Sequence, residues 1–69
     1  MYFNYHAKAK KLISSGNLIN YKIFKNWNGI CPALVLFFNN HKPMPIRREK
    51  WNDYFKYINN YYLSLNINS

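Results

Sequence analysis

Acidic side chains are nearly missing from this chain. Glu49 and Asp53 are its two carboxylates, set against ten lysines and arginines, which leaves a formal charge of +8 over 69 residues. Charge of that sign and density attracts nucleic acid, an anionic membrane or an acidic protein surface. AT-rich coding accounts for many of the lysines, since Asn, Ile, Lys, Tyr and Phe share such codons. It accounts less well for so few acids. Cysteine is as scarce: Cys31 stands alone, so no internal disulfide forms. A single thiol fits a reducing compartment. No Cys/His cluster offers the ligand spacing of a zinc site, so neither a metal nor a cofactor is expected. The two glycines, Gly16 and Gly29, exclude a glycine-rich phosphate loop. Long apolar runs are missing too. The longest spans Ala33 to Phe38, about six residues where a membrane-crossing helix needs roughly twenty. The opening MYFNYHAKAKKLI lacks the apolar core of a secretory signal. A soluble, cytoplasmic protein without an integral membrane span is the expectation.

What the chain has is aromatic mass: seven Tyr, five Phe and two Trp, 20% of the residues. A domain this small buries a modest share of its surface. With no disulfide and no metal, dense ring packing and self-association are what remain to hold it. The whole chain, 1–69, reads as one domain.

Periodicity divides it into five elements. Tyr5, Ala9, Leu12 and Ile13 form one helical stripe, predicting a helix over 5–15 with Asn4 as its N-cap and Gly16 as its left-handed stop. Residues 18–27 alternate, with Ile19, Tyr21 and Ile23 on one face and Asn20 and Lys22 on the other, predicting a strand. Asn28-Gly29 is a strong signal for a two-residue hairpin. The second strand is predicted over 30–38, with Pro32 implying a bulge or a late start near Ala33. Asn39-Asn40 makes the next turn, and 41–46 returns as a short third strand. Pro43 and Pro45, two apart, suit an edge strand; the alternative is a loop with Pro45 opening the next helix. Trp51, Tyr54, Phe55, Ile58, Tyr61, Tyr62 and Leu65 then mark a helix over 47–63, with a frayed tail at 66–69.

The fold class is α+β, in the order α-β-β-β-α, with an antiparallel sheet and two helices. One strand poses a difficulty. Ala33, Val35 and Phe37 point one way while Leu34, Leu36 and Phe38 point the other, so 33–38 is apolar on both faces. Either the helices divide between the faces, or one face meets a partner or a second copy in a homodimer.

Few residues invite chemistry. His6 and His41 have Asp53 and Glu49 as conceivable acid–base partners, but no motif spaces them, and surface histidine is the better reading. Cys31 beside a proline reads as a small core residue. Trp27 either stacks on a base or caps the hairpin end of the core, and the second is favoured. A non-enzymatic protein is expected. The basic residues are more informative. Lys8, Lys10 and Lys11 share the first helix, while Lys42, Arg47, Arg48 and Lys50 crowd the junction before the second. Such a set suits nucleic-acid phosphates, giving affinity without sequence specificity. The plainer reading is a solvated face that keeps a small aromatic protein soluble. A second role is protein interaction or inhibition, of the mobile-element kind, with an acidic or nucleic-acid-binding protein partner. Its surface would be Leu34, Leu36 and Phe38 on the sheet or Tyr57, Tyr61 and Tyr62 on the helix. Peripheral membrane association through helix 47–63 is the third.

Two resemblances follow. Helix, three strands, helix, with Arg47, Arg48 and Lys50 at the second helix start, is similar in topology to a double-stranded-RNA-binding domain. That likeness implies phosphate contacts from those residues and the first helix. The chain departs from the family's pattern in its minimal Asn28-Gly29 turn, where the family has a His-containing loop. It departs again in a second helix rich in Tyr and Phe rather than Lys and Ala. The segments NYHAKAKKLI, PALVLFF and HKPMPIRREKW resemble a family of small clostridial-type proteins, some carrying a hemolysin label. With no spanning segment to carry such an activity, that resemblance implies a lineage and not a mechanism.

Overall fold

A computed structural model describes the backbone of residues 2–68 and the side chains of residues 6–65. Helix α1 runs Tyr2–Ser14, strand β1 Leu18–Phe24, strand β2 Ala33–Phe38 and strand β3 Met44–Arg47. A 3-10 turn, Arg48–Lys50, leads into helix α2, Trp51–Asn68. The class and order are those the periodicity implied: one small α+β domain, α-β-β-β-α.

The turn residues explain the chain reversals. Gly16 adopts φ +81, and α1 ends in a Schellman pair: the Asn17 N–H reaches Leu12 O at 2.9 Å and the Gly16 N–H reaches Ile13 O at 3.2 Å. Asn28 and Gly29 both have positive φ, 46 and 82, as a type I′ turn requires. Trp27 and Ile30 exchange both backbone hydrogen bonds across that turn, at 2.8 and 2.7 Å. The regular ladder does not reach them. It closes at Phe24↔Ala33, leaving 25–32 as an extension that pairs only at Trp27↔Ile30. The expected strands 18–27 and 30–38 are therefore shorter, and Pro32, without a donor, lies just before the late start at Ala33. Asn40, at φ 60, makes the second turn. Pro45 lies within β3, opposite Val35, so the alternative of Pro45 as a first helical residue is not taken.

The third strand, expected over 41–46, is Met44–Arg47, and both helices are displaced from their expected ranges of 5–15 and 47–63: α2 begins only at Trp51, because Arg47 still pairs with Ala33 and a 3-10 turn intervenes. α1 starts at Tyr2, which puts Asn4 inside the helix and not at its N-cap. Tyr5 of the expected stripe lies outside the described side chains. α2 continues to Asn68, so the backbone of 66–68 is helical where a frayed tail was expected; Ser69 lies outside the described residues.

The sheet order is β1-β2-β3, all antiparallel, with β1 and β3 as edges. The register decides what each face does. Leu34 and Leu36 pair with Ile46 and Met44, and these side chains join Phe38 in one core with Ala9, Leu12 and Ile13 of α1 and Tyr54 and Ile58 of α2. Both helices thus cover the same face. Leu34, Leu36 and Phe38 are buried beneath them and cannot form the partner surface assigned to them from sequence, nor a dimer face.

The other face is covered without a helix. Ala33 and Val35 are buried although they stand outside that core. Their cross-strand neighbours are Phe24 and Lys22 on one side and Arg47 and Pro45 on the other. The Lys22 ammonium lies 6.0 Å from the Phe37 ring centre, so its aliphatic stem crosses this face. The Phe24 and Trp27 rings, 5.0 Å apart, close the hairpin end. Trp27 is half-buried there, whereas Cys31, expected in the core, is exposed. Its Sγ approaches Lys25 O.

Candidate functional site

The end of β3 turns into α2 through Arg48–Lys50, and Trp51 fixes the turn. Its indole Nε1 donates to Ile46 O at 3.0 Å, tying the helix start back to the strand. The Arg48 guanidinium lies over the same ring, 5.1 Å from its centre, a cation–π arrangement. Held this way, the junction faces the exposed side of α1. A cleft of about 430 Å3 opens between them, lined by His6, Lys10, Arg47, Glu49, Lys50, Asp53 and Tyr54.

Tyr54 and His6 form the floor of the site. The phenol donates to the His6 carbonyl at 3.0 Å, and the His6 Nδ1 lies 2.7 Å from the same phenolic oxygen. A phenol has one proton to give. With that proton on the carbonyl, Nδ1 carries its own and donates to the oxygen, which turns Nε2 away from this bond. Burial pushes the Tyr54 pKa up to about 12, with the charge of Asp53 and then Tyr57 adding to it. The phenol is therefore a neutral donor at physiological pH. His6, expected at the surface, is half-buried in this pair.

Three cations and both of the chain's carboxylates line the cleft. The other seven of the ten cations lie outside it. Of the residues singled out for phosphate, Lys10 from α1 meets Arg47 and Lys50 from the junction, 37 and 40 positions on. The Lys10 ammonium also lies 5.6 Å from the Tyr57 ring centre. Arg48 lines a second hollow, of about 390 Å3, with Arg47, Glu49 and the hairpin residues Gly29, Ile30, Cys31 and Pro32. Lys8, Lys11 and Lys42 are exposed and line neither hollow.

The tyrosines named for a partner divide. Tyr57 is exposed, while Tyr61 and Tyr62 are half-buried against the core, their rings 5.1 Å apart and edge-on. Tyr57 and Tyr61 line a groove of about 440 Å3 against Ile13, Ser14 and Gly16 at the end of α1. His41 is exposed and away from the cleft.

Periodicity marks Tyr54 only as one position of the second helix's apolar stripe. The signal for more was its hydroxyl, since a buried phenol needs a partner. Among the described residues, no group of three His, Cys, Asp or Glu is arranged to hold a metal ion. Among the same residues, no helix is long and apolar enough to cross a membrane. Scans against protein-family models, curated proteins and solved structures return no match to this chain.

Proposed function

We propose that this is a small non-enzymatic protein that binds nucleic acid through its phosphates, without strong sequence specificity. One observation carries the reading: Lys10 of α1 lines one cleft with Arg47 and Lys50 of the junction, 37 and 40 positions later in the chain. Lysine contributes point charge and arginine a bidentate fork for phosphate oxygens. Glu49 and Asp53 oppose an anion in the cleft, so it accepts one or two phosphates rather than a continuous backbone. Lys8 and Lys11 of α1 and Arg48 at the junction extend the grip outward, and Lys42 belongs to the same electrostatic field.

The test is fluorescence anisotropy with labelled mixed-sequence DNA and RNA across a salt series. Affinity is expected to fall steeply with salt, by about 0.9 in the logarithmic slope per phosphate neutralised, as condensed counterions are released. Replacing Lys10 and Lys50 together by Gln is expected to reduce that slope by one to two such steps, about 1–2 in all. A slope unchanged by the double variant, or binding indifferent to salt, overturns the reading.

A further inference from the structure

The sheet residues assigned to a partner from sequence are buried, and exposed apolar side chains lie on α2, at Tyr57, Leu63 and Leu65, and on β1. Ile19 and Ile23 are each 57% exposed and Tyr21 37%, all on β1. β1 is an edge strand of seven residues. At the opposite edge, β3 carries Pro45, which removes a donor from the ladder. β1 carries no proline, and its free side offers backbone N–H and C=O groups. Its irregularity is confined to the start, where the register shifts between Leu18 and Asn20. There the Tyr62 hydroxyl donates to Ile19 O at 3.3 Å. From Asn20 to Phe24 the strand is regular, each residue pairing in turn with Phe37 through Ala33.

We propose that β1 accepts an extended acidic segment of a partner protein, which adds a fourth, antiparallel strand along residues 20–24. The two faces of β1 specify what that segment carries. Tyr21 and Ile23 stand opposite Leu36 and Leu34, on the helix side. Beside them the Phe55 and Tyr62 rings of α2 lie 6.3 and 6.1 Å from the Tyr21 ring. Residues facing this side are apolar. Lys22 stands on the other side, opposite Val35. Residues facing that side are acidic. The occupant is a strand with apolar and acidic residues in alternation: main-chain hydrogen bonds supply affinity and alternate side chains supply selectivity.

Charge selects this occupant over a second copy. Both carboxylates of the chain line the cleft that follows β3, at the other edge of the sheet, so β1 has only cations to offer. A second copy would bring another +8 and a second Lys22 to the same edge. The inference is independent of the phosphate reading, which uses other residues at the other edge.

The probe is a capped, fluorescein-labelled decapeptide of alternating valine and glutamate, titrated with the full chain and followed by anisotropy. Saturable binding that weakens with salt is expected. The affinity is expected to fall about ten-fold, 1.4 kcal/mol, in Ile23→Lys or Lys22→Glu. Both positions are exposed, and circular dichroism confirms that each variant is folded. Two further probes separate strand addition from charge alone. The valine–lysine peptide, and a valine–glutamate peptide N-methylated at alternate residues to remove its donors, are both expected to fail to bind. Equal binding of the N-methylated peptide, or no binding of the first probe, overturns the proposal. So does a doubled mass in light scattering that Ile23→Lys abolishes, because it gives the edge to a second copy.

Discussion

The Tyr54 hydroxyl donates to the carbonyl of His6, 48 residues earlier in the chain, and shares its oxygen with the ring of the same histidine. One phenol thereby holds the first turns of α1 against the start of α2 and sets the floor of the cleft between them. Tyr54→Phe keeps the ring and deletes both bonds. It leaves the carbonyl and Nδ1 of His6 seeking new partners in a half-buried place. A loss of about 1–3 kcal/mol in urea-unfolding stability is expected. A variant as stable as the parent would mean that the bond does not join the helices.

The same phenol makes the fold sensitive to alkali. Burial, then the charge of Asp53, then Tyr57, raises its pKa from 10.0 to about 12. The folded state therefore holds this proton more tightly than the unfolded state does. Its contribution is fully present below pH 10 and is lost as pH rises through about 12. Tyr62, raised mainly by its own burial, acts in the same direction. Two pH steps correspond to about 3 kcal/mol. Thermal unfolding followed from pH 9 upward is expected to show the melting temperature falling across that window. The fall should be shallower in Tyr54→Phe.

Gly16 has open space around the position of an added Cβ and a φ of +81. Substitution there meets strain and no clash. Gly16→Ala is expected to cost about 1–2 kcal/mol, because a side chain in the left-handed region crowds its own carbonyl. Gly16→Asn should recover part of the loss, since Asn tolerates that region better. Chemical denaturation of the pair checks the order.

These residues also show what a sequence can reveal. Gly16 and Asn28-Gly29 announce their turns because positive φ is a local demand that few residues meet. The stripes of α1 and α2 are legible for a similar reason: Ala9, Leu12 and Ile13, or Tyr54 and Ile58, repeat at the helical period. The orientation of β2 is not local. Its six residues are apolar on both sides, so periodicity cannot say which face meets the helices. Register with β3 decides it, by placing Ile46 and Met44 beside Leu34 and Leu36. The site divides in the same way. Arg47 and Lys50 are neighbours in the chain and were visible as a cluster. Their meeting with Lys10, and the pairing of His6 with Tyr54, depend on how α1 crosses α2. Lys8 and Lys11 looked equivalent to Lys10, and only the packing of the helix separates them.

The outer face of the sheet gives the sharpest contrast between charge and cover. Val35 is buried with no helix above it, and Lys22 stands beside it with its ammonium near the Phe37 ring. If the stem of Lys22 is what shields Val35, its length matters more than its charge. Lys22→Met keeps most of the stem and forfeits the cation–π contact, worth about 0.5–1 kcal/mol at an exposed site. Lys22→Ala and Lys22→Asp remove the stem as well and open Val35 to water. The expected order of stability is therefore parent, then Met, then Ala, with Asp lowest, because a short carboxylate beside an apolar face adds a polar group where cover is needed. Urea midpoints for the four proteins check this. Equal losses in Met and Ala would assign the effect to charge, and the cover of Val35 would then have to come from Phe37 and Pro45 alone.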